Sequence, residues 1–519
     1  MQNLSFIEEN LFVGMNDRYP SHLLPKGVFS SIENALVDNN RIVKRKGNTP
    51  VAATLGAFDI LGGFAFEPAG GNKLIVVNFN GSANSQLHTW SGSGAFSAIG
   101  LANLTKDLQM NFVQASNYLF GFNGAEVVDV ASDGTTVTRN RSGIPLGEFG
   151  VWFHDYLFVA GVAGNTSRLY WSNLGTPLTF TASDYVDINA NDGDEITGLG
   201  VLNDELIVFK KYSVWAISGW SGATFAVTTR TGQNTASRAL GVGAISHQSI
   251  VSVGRDLYYL SFNGGIPHFR SLNQTVFAKT VEEGIVSEEL ETTMDGLNKS
   301  QLHKCAGTYD GKFIYWAIPS GASTTNNLVL VLDPERTYRT NMGSMHSWVK
   351  YTGITPSQFL VSTISGRAKV YFGDATTAGL VYEQGTSVYT DNGTNVTMTI
   401  NTRDYMMDAA RKSKWKYVYH KYASGSAGTL LINARIDQAA DFTLQESLSL
   451  VGNSPGLGPT GTFTIGVSVL GGANVSKNRV TFAHLTGTLL GIQFKESTSN
   501  SCELYDYQIY GFKRALRDD

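Results

Sequence analysis

Short apolar runs separated by tight polar turns dominate the chain, and residues 166–219 show this pattern most clearly. There the β-prone run Leu169–Trp171 is broken by turn residues, and an acidic loop precedes a hairpin. The hairpin joins Val201–Leu202 to Leu206–Phe209 through the turn Asn203–Asp204. The pattern predicts strands joined by short turns instead of long helices.

The same unit of strand, polar turn and strand returns from residue 51 to residue 375. One apolar anchor marks the strand after each turn: Leu74, Leu119, Leu157, Leu206, Leu257, Phe313 and Val370. Successive anchors are 45, 38, 49, 51, 56 and 57 residues apart, which is the spacing of four-stranded propeller blades. We expect an all-β chain with a β-propeller of about seven blades, six or eight being the nearest alternatives. Unrelated hairpins of a large β-sandwich are the other interpretation, and the regular spacing favours the propeller.

The two ends of the chain lack this repeat. Residues 1–50 are expected to form an N-terminal arm or closing strand, with a short helix or turn over Ser30–Leu36 and an edge strand over Arg41–Lys46. Residues 376–519 are expected to form a β-sandwich-like domain. Its predicted strands cover residues 397–402, 414–422, 462–469, 479–482, 489–494 and 504–512. The predicted domains are therefore 1–50, 51–375 and 376–519.

Composition narrows the class of protein. The chain has 519 residues, 16% charged and 11% aromatic, with a net charge of -4. No global basic field is present to hold nucleic acid, so a DNA contact would be local or transient. The N-terminus lacks the basic, apolar pattern of a signal peptide, and Cys305 and Cys502 are too far apart for a disulfide framework or zinc motif. We expect a protein made in a reducing cytoplasm, with two free thiols.

The sequence names no catalytic, cofactor-binding or metal-binding residue. The nine histidines are scattered without ligand spacing, and phosphate-binding and nucleophile motifs are missing. A calcium site at Asp187, Asp192, Asp194 and Glu195 is one interpretation of the acidic loop, but a polar connection between strands explains it at least as well. Residues 132–135 faintly resemble the Asp-box turn of sialidase propellers, and a plain hairpin turn is favoured there. No cofactor is expected.

Basic residues supply the candidate contacts with a subunit or with DNA. Aromatic residues alternate with lysines over residues 414–421, and alternation predicts Trp415, Tyr417 and Tyr419 on the core face. Cations beside aromatic rings also suit nucleic acid, although we favour a subunit contact. The candidate contact residues are Arg411, Lys412, Lys414, Lys416, Lys421, Arg41 and Arg45.

A helix is predicted over Val276–Leu297, and it is strongly acidic. A solvated face is the simpler interpretation, and the lining of a passage that must not retain DNA is the other. The candidate channel-facing acids are Glu282, Glu283, Glu288, Glu289 and Glu291.

Two groups of segments resemble the tail structural proteins of tailed bacteriophages. The first group is Phe12–Asn16, Leu24–Gly27, Asn34–Ala35, Asp38, Arg41 and Arg45–Gly47; the second is Tyr170–Pro177, Asp192–Ile196, Leu206–Lys210 and Val214–Trp215. The pattern is most like the β-propeller tail nozzle (tail tubular protein B-like, or tail hub) of short-tailed phages. It spans most of residues 10–375, whereas the C-terminal part matches less distinctly.

The resemblance implies a virion protein that forms a ring of identical subunits, sixfold in symmetry, below the portal and adaptor. Such a ring continues the genome channel and acts in DNA retention and ejection. Its implied partners are further copies of the chain, the adaptor and portal complex, tail fibre or spike proteins, and genomic DNA in transient contact. The family supplies no catalytic residues, so we expect no enzyme.

Two other functions stay open. One is a receptor- or glycan-binding tail protein built on a propeller scaffold. The other is a propeller glycosidase, which needs a pair of carboxylates that the sequence does not nominate.

Overall fold

The computed structural model describes residues 4–56, 58–79, 84–221, 224–229, 242–273, 284–340, 343–364, 366–376, 379–424, 428–450 and 476–513. The protein is nearly all β, with 56% strand and 5% helix. It consists of two compact units. The propeller unit comprises Pro50–Val329 and Ile354–Gln384, and the terminal unit comprises Met1–Thr49, Leu330–Gly353 and Gly385–Asp519.

Seven short strands precede the first blade. They are β1 Leu4–Glu9, β2 Gly14–Met15, β3 Val28–Phe29, β4 Ser31–Glu33, β5 Ala35–Asp38, β6 Arg41–Lys44 and β7 Thr49–Pro50. A 3-10 turn, Ser21–Leu23, is the helical element of this stretch. The predicted helix or turn over Ser30–Leu36 is wrong, because Asn34 takes a φ of 55° and divides that stretch into β4 and β5.

Four sheets of four consecutive antiparallel strands begin the propeller. They are β8 Ile60–Phe66, β9 Lys73–Phe79, β10 Asn84–Trp90 and β11 Ser97–Thr105; β12 Asn111–Ala115, β13 Tyr118–Phe122, β14 Val127–Val130 and β15 Val137–Arg139; β16 Phe149–Phe153, β17 Tyr156–Ala160, β18 Arg168–Asn173 and β19 Thr176–Asp187; β20 Ile196–Leu202, β21 Glu205–Lys210, β22 Val214–Ser221 and β23 Thr224–Thr229. The turn between β16 and β17 is tight because His154 and Asp155 both have positive φ, 48° and 60°, as a two-residue hairpin requires.

The later blades are less regular. β24 Val251–Val253, β25 Asp256–Ser261 and β26 His268–Ser271 form a three-stranded sheet. β27 Ala306–Tyr309 pairs with β28 Ile314–Ile318, and β29 Leu328–Thr340 leads the chain into the terminal unit. The last sheet contains β31 Pro356–Ser362, β32 Lys369–Asp374 and β33 Val381–Glu383, with β7 beside β33. Helical elements that the structure describes here include the 3-10 turns His247–Ser249, Glu288–Leu290 and Lys299–Lys304 and the short helix α1 Glu291–Asp295.

The first strand of each set contacts the first strand of the next, from β8 through β12, β16, β20, β24, β27 and β31 back to β8. The predicted β-propeller is therefore confirmed. In the described part of the chain six blades are separate sheets, and β27 with β28 fills a further place in the ring. The expectation of about seven blades differs only slightly from six, because β27 and β28 belong to a larger sheet instead of forming a sheet of their own.

The ring is closed by the residues that precede the first blade. The Val51 amide donates to the Val381 carbonyl at 2.9 Å, and the Leu55 amide donates to the Gly379 carbonyl at 2.9 Å. A strand from before the first blade thus completes the last blade, which leaves no open edge between them.

Apolar side chains fill the spaces between neighbouring blades. Leu119 of β13, for example, packs with Phe66 and Ile75 of the preceding blade, and all three are fully buried. Second strands lie between other strands and between neighbouring sheets, so they are apolar on both faces. Each predicted anchor lies within a second strand, or in the case of Phe313 one residue before it.

The terminal unit contains the remaining strands. They are β30 Gly343–Thr352, β34 Thr390–Asp391, β35 Thr394–Asn395, β36 Met398–Asn401, β37 Tyr405–Met406, β38 Ser413–Ala423, β39 Gly428–Ile436, β40 Thr443–Leu450, β41 Ser476–Thr481, β42 Thr486–Gly487, β43 Leu489–Glu496 and β44 Glu503–Lys513. One sheet has the order β41-β38-β44-β6-β5, with β1 on β44; in the other, β4, β36, β43, β39 and β40 are neighbours. The predicted strand over 462–469 lies outside the described residues.

The two sheets of this unit meet through aromatic side chains. Phe494 of β43 lies 5.3 Å from Tyr507 of β44 and 6.1 Å from His420 of β38, measured between ring centroids. This is the packing of a β-sandwich. Residues 4–44 supply strands to both sheets, so they differ from the separate arm that the sequence suggests. β6 lies between β5 and β44, and the predicted edge position for it is wrong.

Candidate functional site

A cavity of about 510 Å³ lies in the propeller unit, at the N-terminal ends of several inner strands. Glu148 immediately precedes β16 and Glu195 immediately precedes β20. The polar lining of the cavity includes Asn111, Glu148, Glu195, Gln248, His303 and Lys304. Equivalent positions of successive blades therefore converge on one space, which we call the axial cavity. Its volume lies in the range of small-molecule sites.

Glu148 is the most unusual side chain of the axial cavity. Gly124 and Gly161 leave room for it, since a Cβ on either glycine would lie within 2.9 Å of Glu148 side-chain atoms. Burial, followed by the charge of Glu195, raises the pKa of the Glu148 carboxyl. Among the described residues the carboxylate has no hydrogen-bond partner, whereas the backbone carbonyl of Glu148 accepts from Asn111 Nδ2 at 2.9 Å. A carboxylate held in this way is available to a ligand.

Amide side chains form a fixed chain beside it. Gln109 Nε2 donates to Gln248 Oε1 at 2.8 Å, and Gln248 Nε2 donates to Asn111 Oδ1 at 3.0 Å. His247 is half-buried, its Nδ1 accepts from the Leu199 amide at 3.2 Å, and desolvation lowers its pKa to about 4. The imidazole is therefore neutral at pH 7 and serves the structure. Carboxylates and oriented amides together suit a ligand with many hydroxyl groups.

A smaller cavity of about 290 Å³ shares Asp107, Gln109 and Lys304 with the axial cavity. Asp59 lines it, and burial followed by the charges of Asp374 and Asp107 raises the pKa of the Asp59 carboxyl. The two cavities thus form a continuous polar lining at one end of the inner strands.

A second candidate site lies on the terminal unit, and it corrects the predicted faces of β38. The register between β38 and β44 shifts between Trp415 and Tyr417, so Lys416 is the extra residue of a β-bulge. Trp415, Val418 and His420 are consequently all buried, whereas Tyr417 and Tyr419 are only half-buried. The prediction that these two tyrosines share the core face with Trp415 is wrong.

The outward tyrosines join aromatic residues of two neighbouring strands. Tyr510 of β44 lies 4.8 Å from Tyr417 and 5.6 Å from Tyr419 between ring centroids, and Phe6 of β1 stacks on Tyr510 at 5.5 Å. Phe6 is 58% exposed and Leu4, two residues before it, is 43% exposed. We call this stripe of Phe6, Tyr417, Tyr419 and Tyr510 the aromatic face.

Cations border the aromatic face. Lys477 Nζ lies 4.9 Å from the centre of the Tyr419 ring, and the Arg479 guanidinium lies 5.6 Å from that of Tyr417. Lys416 lies 5.6 Å over Phe512 at the end of β44. Lys477 and Arg479 are both exposed. Cation–π contacts at exposed sites are worth only about 0.5–1 kcal/mol each, so these cations can move to an anion.

Two of the predicted contact residues are internal ties of the terminal unit. Arg45 is 4% exposed and forms a two-pronged ion pair with Asp391, at 2.5 and 3.0 Å. Arg41 is half-buried and pairs with Glu503 at 2.8 Å. Arg45 therefore does not face a partner, and Arg41 does so only in part.

The other predicted basic residues remain at the surface. Arg411 lies 4.0 Å from Asp408, Lys412 is exposed, and Lys421 pairs with Asp506 at 2.7 Å. Lys414 and Lys416 are half-buried on or beside the aromatic face.

Residues 276–283 of the predicted acidic helix, with Glu282 and Glu283, lie outside the described residues. Over 284–297 the prediction of one continuous helix is wrong, because only the 3-10 turn Glu288–Leu290 and the short helix after it are helical. In the described part, α1 covers Glu291–Asp295. Glu288 is exposed and Glu291 is half-buried, but Glu289 is only 5% exposed and is oriented away from solvent. The expectation that Glu289 faces a channel is therefore wrong.

The acidic loop is clamped by cations. Buried Lys210 bonds to both carboxylate oxygens of Asp192, at 2.8 and 2.9 Å, and Arg168 pairs with Asp187 at 2.6 Å. Asp194 accepts from Ser213 Oγ at 2.9 Å. These bonds support the polar-connection interpretation, and within the described residues no group of three or more His, Cys, Asp or Glu side chains is placed to hold a metal ion.

Two smaller expectations can be compared with the structure. Asp133 accepts from the Thr135 and Thr136 amides at 2.8 Å in the turn between β14 and β15, so residues 132–135 are a hairpin turn. Cys305 and Cys502 are both buried free thiols. No helix of the described residues has the length and apolar character needed to cross a membrane.

The sequence did not nominate Glu148, Phe6, Tyr510, Lys477 or Arg479. A signal for Glu148 exists in hindsight, because an acid stands directly before two successive inner strands. For the aromatic face, alternation within β1, β41 and β44 gives each strand's outward residues but not which strands are neighbours.

No protein-family model and no curated protein matches the chain. Among solved structures, the chain is similar to the Neurospora crassa Pan2 WD40 domain, with a TM-score of 0.40 and 8% identity over 66% of this chain and 97% of that one. It is also similar to exo-beta-1,3-galactanase from Phanerochaete chrysosporium, with a TM-score of 0.28 and 12% identity over 90% and 100%. A third is virginiamycin B lyase from Staphylococcus aureus, with a TM-score of 0.28 and 10% identity over 52% and 96%. Since every TM-score is below 0.5, these similarities do not indicate what the chain binds or does.

Proposed function

We propose that the chain is a structural subunit of a phage tail, most like the nozzle or hub, and that it functions without enzymatic chemistry or a cofactor. The supporting observation is that residues carrying the resemblance are internal ties of both units. Arg45 ties Asn34 to Asp391 in the terminal unit, and Lys210 ties Asp192 in the propeller unit. The residues that resemble the phage tail family thus form internal ion pairs and hydrogen bonds of each unit. We expect a family of structural proteins to share residues of this kind.

In this proposal identical copies form a closed ring, sixfold in symmetry, that continues the genome channel below the portal and adaptor in the virion tail. Each contact in a cyclic ring joins two different faces of the subunit. The net charge of -4 limits retention of DNA by the protein as a whole. Tail fibre or spike proteins are the further proposed partners.

Electron microscopy of the purified chain in negative stain, together with mass photometry, tests the proposal. Rings of a fixed number of copies, alone or on the adaptor complex of the phage that encodes the chain, are expected. If the protein stays monomeric at every concentration and does not bind the adaptor complex, the proposed ring is refuted. Deletion of residues 1–50 is a poor test, because it removes strands from both sheets of the terminal unit.

The axial cavity favours one second candidate, the binding of a glycan on the cell surface. Glu148, Glu195 and the amides of Asn111 and Gln248 offer acceptors and donors to sugar hydroxyls. Glycan-array binding by the wild type and its loss in Glu148→Gln would support this function. Asp204→Asn, at an exposed hairpin turn outside the cavity, is the matched control. Equal binding by Glu148→Gln and wild type would exclude the cavity.

A further inference from the structure

We propose that the aromatic face of the terminal unit binds single-stranded nucleic acid. Four aromatic side chains from three adjacent strands form a continuous stripe with ring centroids 4.8–5.6 Å apart. Aromatic stripes bordered by cations are the common design of single-strand binding surfaces, because bases stack on rings and cations neutralise phosphates. This inference is independent of the proposed ring.

The register of the sheet places these groups on one surface. Phe6 lies opposite Tyr510, Tyr510 lies opposite Tyr417, and Tyr419 lies opposite Arg479. These positions cross the sheet from β1 through β44 and β38 to β41. A strand of nucleic acid laid across the sheet would therefore meet the rings first and the cations of β41 at the end.

The charge of this surface favours a polyanion. The four strands of this surface carry Lys414, Lys416, Lys421, Lys477, Arg479 and Lys513, and their acids outside the core are Glu8, Glu503 and Asp506, in a chain whose net charge is -4. Glu503 pairs with Arg41 at 2.8 Å. Asp506 is neutralised by Lys421 at 2.7 Å, and Glu8 accepts from Gln508 Nε2 at 2.9 Å. Lys477 and Arg479 are two residues apart on β41, so their side chains project from the same face about 7 Å apart.

The exposed aromatic side chains favour a single strand of nucleic acid over a duplex. Burial and then the nearby Tyr417 and Tyr419 raise the pKa of Tyr510, so its ring remains uncharged. A single strand can place unpaired bases on Phe6 and Tyr510, whereas a duplex keeps its bases stacked inside and offers only phosphates. We therefore expect tighter binding of a single strand than of a duplex.

Fluorescence anisotropy with the full chain and a labelled oligothymidine of about sixteen nucleotides tests the proposal. Phe6→Ala is the main variant, since a side chain that is 58% exposed contributes little to folding. We expect this variant to weaken binding about 5- to 100-fold, as loss of one stacking platform does. Arg479→Ala should weaken binding and reduce the salt slope between about 50 and 200 mM by about 0.7.

Lys312→Ala is the matched control, because Lys312 lies 4.9 Å over Phe313, a similar cation–π contact in the propeller unit. It should bind like the wild type. Absence of saturable binding, or binding that Phe6→Ala and Arg479→Ala leave unchanged, would overturn the proposal. So would equal affinity for a blunt duplex of the same length. Loss of self-association in Phe6→Ala, with no oligonucleotide binding by the wild type, would assign the face to a second copy of the chain instead.

Discussion

Replacing Arg45 with methionine tests whether this residue serves the framework or a partner. The guanidinium donates to Asp391 at 2.5 and 3.0 Å, to Asn34 Oδ1 at 2.8 Å, and to the carbonyls of Lys46 and Thr352 at 3.2 and 3.3 Å. The Arg45→Met variant keeps most of the side-chain volume but leaves the largely buried Asp391 without its cation. Removal of one partner from a buried ion pair costs about 3–5 kcal/mol. We expect the free energy of unfolding of the terminal unit to fall by about that amount.

Arg41→Met is the matched control. Its ion pair with Glu503 is more exposed, with side-chain exposures of 30% and 22%. Pairs of this kind contribute about 0–1 kcal/mol after solvent screening. The two arginines are four residues apart in sequence, so the comparison isolates burial.

Urea unfolding combined with hydrogen–deuterium exchange of the peptides covering 343–352 and 389–396 separates the terminal unit from the propeller unit. Arg45→Met should increase exchange in these peptides, whereas Arg41→Met should not. A second substitution, Asp391→Leu, should recover part of the loss because it removes the uncompensated charge. If Arg45→Met and Arg41→Met cost the same, within about 0.5 kcal/mol, the framework interpretation is refuted.

Three other predictions follow from single positions. Burial lowers the pKa of His420 to about 4. Between pH 6.5 and 4 this histidine is protonated in the unfolded chain but neutral in the folded chain, so the free energy of unfolding falls as the pH drops toward 4. His420→Phe should remove about 2 kcal/mol of that loss at pH 5, measured as the melting temperatures of both proteins at pH 5 and 7; equal pH dependence would contradict it. Burial raises the pKa of Glu148, so its ionised form opposes folding at neutral pH, and Glu148→Gln should raise the melting temperature at pH 7 but not at pH 4. Gly27 has a φ of 81° and an added Cβ would lie 2.5 Å from the Leu11 carbonyl oxygen, so Gly27→Ala should cost more than about 1 kcal/mol in urea unfolding. Gly265→Ala is the control, because Gly265 has no positive φ and its added Cβ would meet only Asn263 Oδ1, at 3.7 Å.

The strands of the propeller were predictable from the sequence where the residues of a single strand formed a recognisable pattern. Second strands such as Leu157–Ala160 are buried on both faces, so they appear in the sequence as apolar runs at blade spacing. The partners of Arg45 were not predictable, because Asp391 is 346 residues away in sequence. The faces of β38 were assigned wrongly because strict alternation assumes an unbroken register, and the bulge at Lys416 breaks it.

The candidate sites were predictable to different extents. The basic and aromatic character of residues 414–421 is visible in one strand, so Tyr417 and Tyr419 were noticed, although they were assigned to the core face. Phe6 and Arg479 join it only through pairings with β44 and β38. Glu148 is the loop residue directly before β16. Only the circular arrangement of the blades brings it near Glu195.

The bond between Val51 and Val381 also has a consequence for synthesis of the protein. During translation the early blades emerge before residue 381 is made. Val51 therefore lacks its hydrogen-bond partner, which lies 330 residues later in the chain. Contacts so distant in sequence form slowly, because the loop must close before they yield any stabilisation. A ribosome-bound chain that ends before residue 381 should thus retain an open propeller. Sensitivity of such stalled chains to protease, compared with chains extended past residue 384, would show the moment of closure.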